Sequence, residues 1–353
     1  MKIWIDILTP KQAFFARKLS ETLKLEHQVW LTARDYPQVL QMAERLGLDL
    51  EIVGKHGGSE LATKLSASLD RQQKLHAKVK RGKPDACVSF LSPEAARISF
   101  GLGIPHLAES DSPHASHVCR LVVPLLDSLF TPACTKSDSW SRYGIRRSRI
   151  HQFNALDPIV WLRDHKTDSD VLKNLGLKQR DKIVTVRTEE DQAAYTNRSS
   201  DSPIRSVARR LARKYADHKF VILARYGNNR RIERDGNIFL VNGIIDGLSL
   251  LRSSILFIGG GGTMTQEASL MGIPSIGAHR STLPEVFSNF LIPKGLVRWR
   301  IKGVEIAKEA ETILNDITRN RSSWKKKADR VTSMMKDPIP RIAGAIQELR
   351  AHS

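Results

Sequence analysis

Apolar and polar positions follow two rhythms along the chain. Short apolar runs of strand length occur at KIWIDIL (2–8), HQVWLTAR (27–34), LEIVG (50–54), PDACVSFLS (84–92), HLAES (106–110) and SLFTP (128–132). Between them lie longer amphipathic stretches, which predict helices over about 11–24, 36–48, 60–82 and 94–105, the last ending near a glycine. A charged, turn-rich segment from Asp157 to Lys182 then interrupts the alternation. A second series follows it: KIVTVR (182–187), a helix over 203–217, KFVILAR (219–225), IFLVNG (238–243), a short helix at 246–254, ILFIGG (255–260), a helix over 263–272 and IPSIGA (273–278). Strand, helix, strand is the signature of parallel strands joined by crossover helices, so each half predicts an open α/β sheet. The rest of the chain is helical in pattern and is expected to break at Pro338 and Pro340.

Length and composition sharpen this picture. A chain of 353 residues with 41% hydrophobic content is long enough for two ordinary cores. The expected division is an N-terminal Rossmann-like domain over 1–160, a C-terminal one over 161–335, and a final helix over 336–353 that packs back on the first. The three cysteines, Cys87, Cys119 and Cys134, form no CxxC or Cys/His cluster, so neither a disulfide framework nor a zinc site is expected and a reducing cytoplasm fits. No apolar run reaches about 18 residues, and the opening MKIWIDILTP is too short to resemble a signal peptide.

Charge adds a partner class. Lys and Arg number 56 against 37 Asp and Glu, a formal charge of +19 that calls for an anionic ligand or surface. Arg205, Arg209 and Arg213 share one helical face, which is either simply solvated or a contact for anions. Nucleic acid is the less favoured partner, because no recognised nucleic-acid motif occurs and aromatic residues are only 6%. A peripheral place on an anionic membrane, where a polyprenyl-phosphate acceptor would be found, is the better expectation.

The most distinctive stretch is ILFIGGGGTMTQEASLMGIPSIG (255–277). Four glycines after a buried strand let a ligand approach main-chain N–H groups, and the helix that follows presents its N-terminus at the same place. Phosphate or diphosphate is the expected guest, with contacts from Gly261, Gly262, Thr263 and Thr265. The stretch is neither a Walker A loop nor a GxGxxG turn at a first strand, which excludes a plain P-loop or dinucleotide site. Glu267 is close enough to the helix start to reach a ribose; the alternative is an acid placed against the helix dipole.

GGGGTMTQEASLMGIPSI, preceded by VNGIIDGLSLLRSSILFI, resembles the nucleotide-binding half of GT-B proteins, the group that holds MurG-type glycosyltransferases and the UDP-N-acetylglucosamine 2-epimerases. Together with MKIWIDILTP, VWLTARD, FTPAC, VTVRTEEDQAAY and FLIPKGL, nearly the whole chain is similar to a mostly archaeal family of unknown function, number 354 in its series. The resemblance implies two Rossmann-like domains facing each other across a cleft, with a nucleotide-diphosphate sugar, expected to be a UDP-sugar, as substrate and no required cofactor or metal. It places the diphosphate on the glycine turn, the ribose at Glu267 and the base beside Ile244 and Ile245, which otherwise read as core aliphatics.

Other candidates come from strand ends. Arg187 and Arg225 close two strands of the second half and suit bidentate phosphate binding, the alternative being solvated surface. Tyr195, His279 and Arg280 lie in neighbouring loops. TPKQ (9–12) reads as a loop facing acceptor or sugar. HLAESDSPHASH (106–117) brings together Glu109, Asp111, His114 and His117, of which Glu109, Asp111 and His114 are the candidate acid/base residues; a solvated polar loop is the alternative. The His and acid pattern of the 2-epimerases is not cleanly reproduced at this strand end. Glycosyl transfer is therefore the leading expectation, ahead of epimerisation at sugar C2 and of a non-catalytic nucleotide-sugar or RNA-binding role.

Overall fold

The computed structural model describes residues 1–188, 203–224, 231–260, 262–278 and 283–351. Its contacts divide the chain into two compact units, the first made of 1–161, 284–286 and 336–353, the second of 162–283 and 287–335.

The first unit is built on seven strands: β1 (Lys2–Ile7), β2 (Gln28–Asp35), β3 (Glu51–Lys55), β4 (Ala86–Ser89), β5 (His106–Glu109), β6 (Ser128–Pro132) and β7 (Ile150–Phe153). They pair in the order β3-β2-β1-β4-β5-β6-β7, parallel throughout. This is Rossmann-like winding: the chain moves outward from β1, then returns to start again at β4. Right-handed crossovers place the helices Pro10–Leu23 and Pro37–Leu46 on one face and Leu61–Gly82, Pro93–Leu102 and Ser116–Val122 on the other. Central β1 is therefore covered on both sides, which explains why Ile3, Trp4, Ile5 and Ile7 are all fully buried. The last helix, Ile339–Ala351, packs on Pro10–Leu23 and buries Ile339, Ile342, Ala343 and Ile346.

The second unit also has seven strands: β8 (Lys182–Arg187), β9 (His218–Leu223), β10 (Arg231–Asp235), β11 (Ile238–Asn242), β12 (Ser254–Gly259), β13 (Ser275–Gly277) and β14 (Arg298–Trp299). Their order is β10-β11-β9-β8-β12-β13-β14, parallel except for the antiparallel edge pair β10-β11. One core joins Val184, Val186, Leu256 and Ile258 to the helices Pro203–Lys214 and Gly303–Asn315. Arg205, Arg209 and Arg213 line the solvent face of Pro203–Lys214. The α/β class and the two Rossmann-like domains are as the sequence pattern predicts.

Two local expectations need correction. TPKQ is the start of a helix, not a loop: Pro10 occupies the first turn, where its missing N–H costs nothing, and the Gln12 side chain accepts from the N–H groups of Leu8 and Thr9 at 2.6 and 3.1 Å. Pro338 lies in the interruption between Thr332 and Ile339 as expected, but Pro340 begins the last helix instead of breaking one, and a further break falls at Asp316. At the start of the last helix Asp337 accepts the Ile339 N–H at 2.9 Å.

Candidate functional site

In an open parallel sheet, side chains at the carboxyl ends of the strands meet where winding reverses. In the first unit that edge holds four ionisable groups. Lys11, in the first turn after β1, places its ammonium 2.9 Å from Asp111 Oδ1 and 2.5 Å from Asp157 Oδ2. Glu109 ends β5, Asp111 follows two residues later, and Asp157 comes just after β7. Phe14 on the lysine's own helix stacks on Trp161 at 5.4 Å, which pins the segment carrying Asp157 beside it.

These groups are deeply sunk. Glu109 is 2% exposed and Asp157 0%, while the Lys11 side chain is 21% exposed. Burial pulls the Lys11 ammonium toward neutrality, but Asp111, Asp157 and Glu109 outweigh it and hold the pKa above the usual lysine value. Burial drives the Glu109 carboxyl well up, and the neighbouring Asp157 and Asp111 charges push the same way against Lys11. Burial and Asp111 also raise Asp157, against the pull of Lys11. Among the described residues Asp157 accepts no N–H apart from the lysine contact, one Glu109 oxygen is buried without a partner, and the Glu109 and Asp157 carboxyl groups lie within hydrogen-bond reach of each other. A proton carried by Glu109 and shared with Asp157 accounts for these facts. The result is three carboxyl groups around one cation, two of them, Glu109 and Asp157, shifted by burial toward holding a proton.

His114 stands at the same edge, where burial lowers its pKa against the opposing Asp111 charge. Cys134 is close enough to feel Asp111 and Asp157, yet burial first pushes its thiol up to about 12, so it is no thiolate nucleophile. His106, fully buried, sits 2.8 Å from Ser89 Oγ and is pulled by burial down to about 4, a neutral structural imidazole. Among the described residues no group of three or more His, Cys, Asp or Glu side chains is arranged to hold a metal ion.

In the second unit the winding reverses between β8 and β12. Arg187 ends β8 opposite Gly259 of β12; its carbonyl accepts the Gly260 N–H at 3.0 Å, and its guanidinium donates to the Ala224 carbonyl at 2.9 Å. Gly259 is required by packing: a Cβ there would lie 2.4 Å from the Phe257 ring and 2.7 Å from Thr265 Oγ1. Gly262 is different, because a Cβ would meet nothing within 4 Å. It opens the helix Gly262–Leu270, with Gly262 exposed, Thr263 half-buried, and Thr265 and Glu267 buried. Ile244 and Ile245 are half-buried between β11 and the helix Gly247–Arg252, and Ile245 packs on the core beneath. Asp246 caps that helix through the N–H groups of Leu248 and Ser249, both at 3.1 Å, and lies 3.2 Å from His165 Nε2.

Of the residues picked from sequence, Glu109 and Asp111 share one cluster with His114 beside it, and Arg187, Gly262, Thr263, Thr265 and Glu267 gather at the second unit's strand ends. Gly261, Arg225, Tyr195, His279 and Arg280 lie outside the described residues. Sequence reasoning missed Lys11 as an ion-pair partner and Asp157 altogether. The available signal for Asp157 was its place four residues beyond the end of the strand-like IHQF, an acid near a strand end as Glu109 is.

Residues 1–342 match the family described as Protein of unknown function (DUF354). The chain belongs to the DUF354 family. This DUF354 protein is 27% identical over 300 residues to an uncharacterized protein of Methanocaldococcus jannaschii, covering 83% of the chain and 86% of that relative. Its fold is similar to a putative UDP-N-acetylglucosamine 2-epimerase from Listeria monocytogenes, with TM-score 0.74, 17% identity and coverage of 98% and 95% of the two chains. The 2-epimerase from Neisseria meningitidis bound to UDP-GlcNAc gives TM-score 0.74 at 14% identity over 100% of both chains. A spinosyn rhamnosyltransferase complexed with spinosyn aglycone gives 0.65 at 14% over 99% and 100%. These likenesses establish a GT-B fold for the DUF354 chain. No described helix is long and apolar enough to cross a membrane.

Proposed function

We propose that the protein is a GT-B-type enzyme that binds a nucleotide-diphosphate sugar, with a UDP-sugar as donor, and transfers the sugar to a hydroxyl acceptor. The observation that carries it is the Lys11–Asp111–Asp157–Glu109 cluster. A purely structural ion pair would match one acid to one cation, whereas here three carboxyl groups surround one ammonium, and such perturbed groups gather where proton transfer is needed.

The acceptor oxygen attacks the anomeric carbon as the bond to the diphosphate breaks, and the acceptor proton passes to a carboxylate of the cluster. Asp111, 2.9 Å from the Lys11 ammonium, is suited to that base role. The leaving diphosphate would take its donors from the Gly262–Leu270 helix start, Thr263 and Arg187, with the ribose at Glu267. Support for the nucleotide comes from fold neighbours described as bound to UDP or UDP-GlcNAc.

A second reaction, epimerisation at C2, is favoured by one feature: Glu109 and Asp157 offer a proton-bearing and a proton-accepting group side by side. The two reactions separate cleanly. Transfer releases UDP only when an acceptor is supplied; epimerisation incorporates solvent deuterium at C2 without one. Failure of UDP and UDP-sugars alike to raise the melting temperature would remove both and leave a non-nucleotide binding role.

A lipid-linked acceptor on an anionic membrane fits the first unit's surface. Leu61, Leu65 and Leu69, spaced four apart on one helix, are exposed, as are Phe100 and Leu121 on the two helices that follow in the same layer. Lys64, Arg97 and Arg120 belong to the same three helices, so apolar and cationic side chains occur together.

A further inference from the structure

The pairing of β2 with β3 slips between Ala33 and Asp35, where two residues of β3, Val53 and Gly54, stand against Arg34 alone. The bulge on β3 interrupts the ladder beside Arg34, which lies half-buried near the carboxyl end of β2. Its neighbours are charged but occupied. Arg71 forks onto Asp6 at 2.5 and 3.1 Å and reaches Glu94 at 3.4 Å; Ser92 and Thr32 donate to Asp6, and Ser68 to Glu94, each at 2.6 Å. Asp6, Glu94, Arg71 and Arg34 balance in net charge, yet the carboxylates spend their oxygens on Arg71 and on hydroxyls. Arg34 makes no hydrogen bond or ion pair among the described residues, and its Nε is buried without an acceptor. What it touches is aromatic: the guanidinium carbon lies 5.6 Å from the centre of the Tyr36 ring, which stacks on His56 at 4.5 Å.

A second orphan sits four residues on. Gln38, in the first turn of the helix Pro37–Leu46, has a buried Oε1 with no donor. That helix has no acid in its first turn and no side-chain cap at Tyr36. The loop beyond is fixed in shape: Gly58 donates to His56 Nδ1 at 3.1 Å, Thr63 Oγ1 donates to the Gly57 carbonyl at 2.7 Å, and a Cβ on Gly57 would lie 2.5 Å from Lys64 Cα.

We propose that Arg34 and Gln38 form a ligand subsite for a hydroxyl-bearing phosphate or carboxylate, with the anion on the Arg34 fork, a hydroxyl donating to Gln38 Oε1, and the Tyr36–His56 stack holding the guanidinium from behind. An unsatisfied donor against the Tyr36 ring and an unsatisfied acceptor in the first turn of the helix that follows suit a ligand that supplies both complements. Binding stands on these residues alone; that the ligand is the sugar acceptor rests on the function proposed above.

The test follows the Arg34 side-chain Nε–H resonance by NMR during titration with glycerol 1-phosphate, glycerate and glycerol. At least one anion should shift it saturably below about 10 mM, and glycerol should not. A stronger response to the phosphate or to glycerate identifies the anion. Arg34→Gln should weaken binding about tenfold, Arg34→Lys less, because the charge remains while the fork is lost. Gln38→Leu should weaken both anions with Arg34 intact. UDP titrated into the same variants should bind as it does to the unaltered protein. Saturation by neither anion, or equal binding by Arg34→Gln, overturns the subsite; absence of any UDP response overturns the proposed function instead.

Discussion

The Lys11 ammonium lies 2.5 Å from Asp157 Oδ2, joining the first turn of the chain to a loop at the far end of the same sheet. Removing one partner of a buried pair leaves the other charge stranded. Lys11→Met should therefore cost about 3 kcal/mol of stability by denaturant unfolding. Lys11→Met with Asp157→Leu should recover part of that loss, and additive losses would show that the two side chains do not act as a pair.

Glu109 predicts a pH signature. Its folded pKa is raised by burial and by Asp157, so the folded state holds this proton more tightly than the unfolded chain. Its contribution is full below the ordinary glutamate value of 4.5 and is lost as pH rises toward the folded pKa. One such proton tilts stability by at most about 1.4 kcal/mol per pH unit. Glu109→Gln should flatten the decline that sets in above the ordinary glutamate value of 4.5. Equal slopes in the two proteins would show that Glu109 is not the proton holder.

The two described extremes of the glycine run predict opposite phenotypes. Gly259→Ala drives a methyl into the Phe257 ring and should cost about 1–3 kcal/mol. Gly262→Ala adds a methyl in open space and should leave stability within about 0.5 kcal/mol, while weakening the thermal shift produced by UDP. Glu267→Ala should reduce the same shift. An unchanged UDP response in both Gly262→Ala and Glu267→Ala would remove the helix start as the nucleotide site.

Leu61, Leu65 and Leu69 should matter on lipid but not in the fold, since all three are exposed. Replacing them by serine should abolish sedimentation with vesicles containing phosphatidylglycerol, and the unaltered protein should bind such vesicles less as salt rises. Equal recovery of both proteins in the vesicle pellet would count against a membrane surface.

How much could be read in advance follows from what each feature depends on. The strands β1, β5, β8 and β12 announce themselves because central parallel strands are buried on both faces and read as apolar runs. Glu109 and Asp111 were visible as acids after such a run. Lys11 was obscured by Pro10, which suggests a loop until it is recognised as a helix-opening residue. Asp157 carries only the mark of following a short strand, because its significance comes from Trp161 stacking on Phe14 across nearly 150 residues of sequence. Arg34 was hidden for a related reason: a bulge is a property of two paired strands, and neither strand alone records the slip. In the glycine run the sequence suggested one purpose for all four, whereas packing separates Gly259, constrained by Phe257, from Gly262, which faces open space.

The first unit is assembled from three separated pieces of chain, and its last piece, the helix Ile339–Ala351, covers the helix Pro10–Leu23. During vectorial synthesis the helix Pro10–Leu23 must emerge with its outer flank bare and stay so until the helix Ile339–Ala351 has been made. The half that is translated first is thus completed last, and a nascent chain stalled anywhere before residue 339 presents an unsealed hydrophobic flank to chaperones.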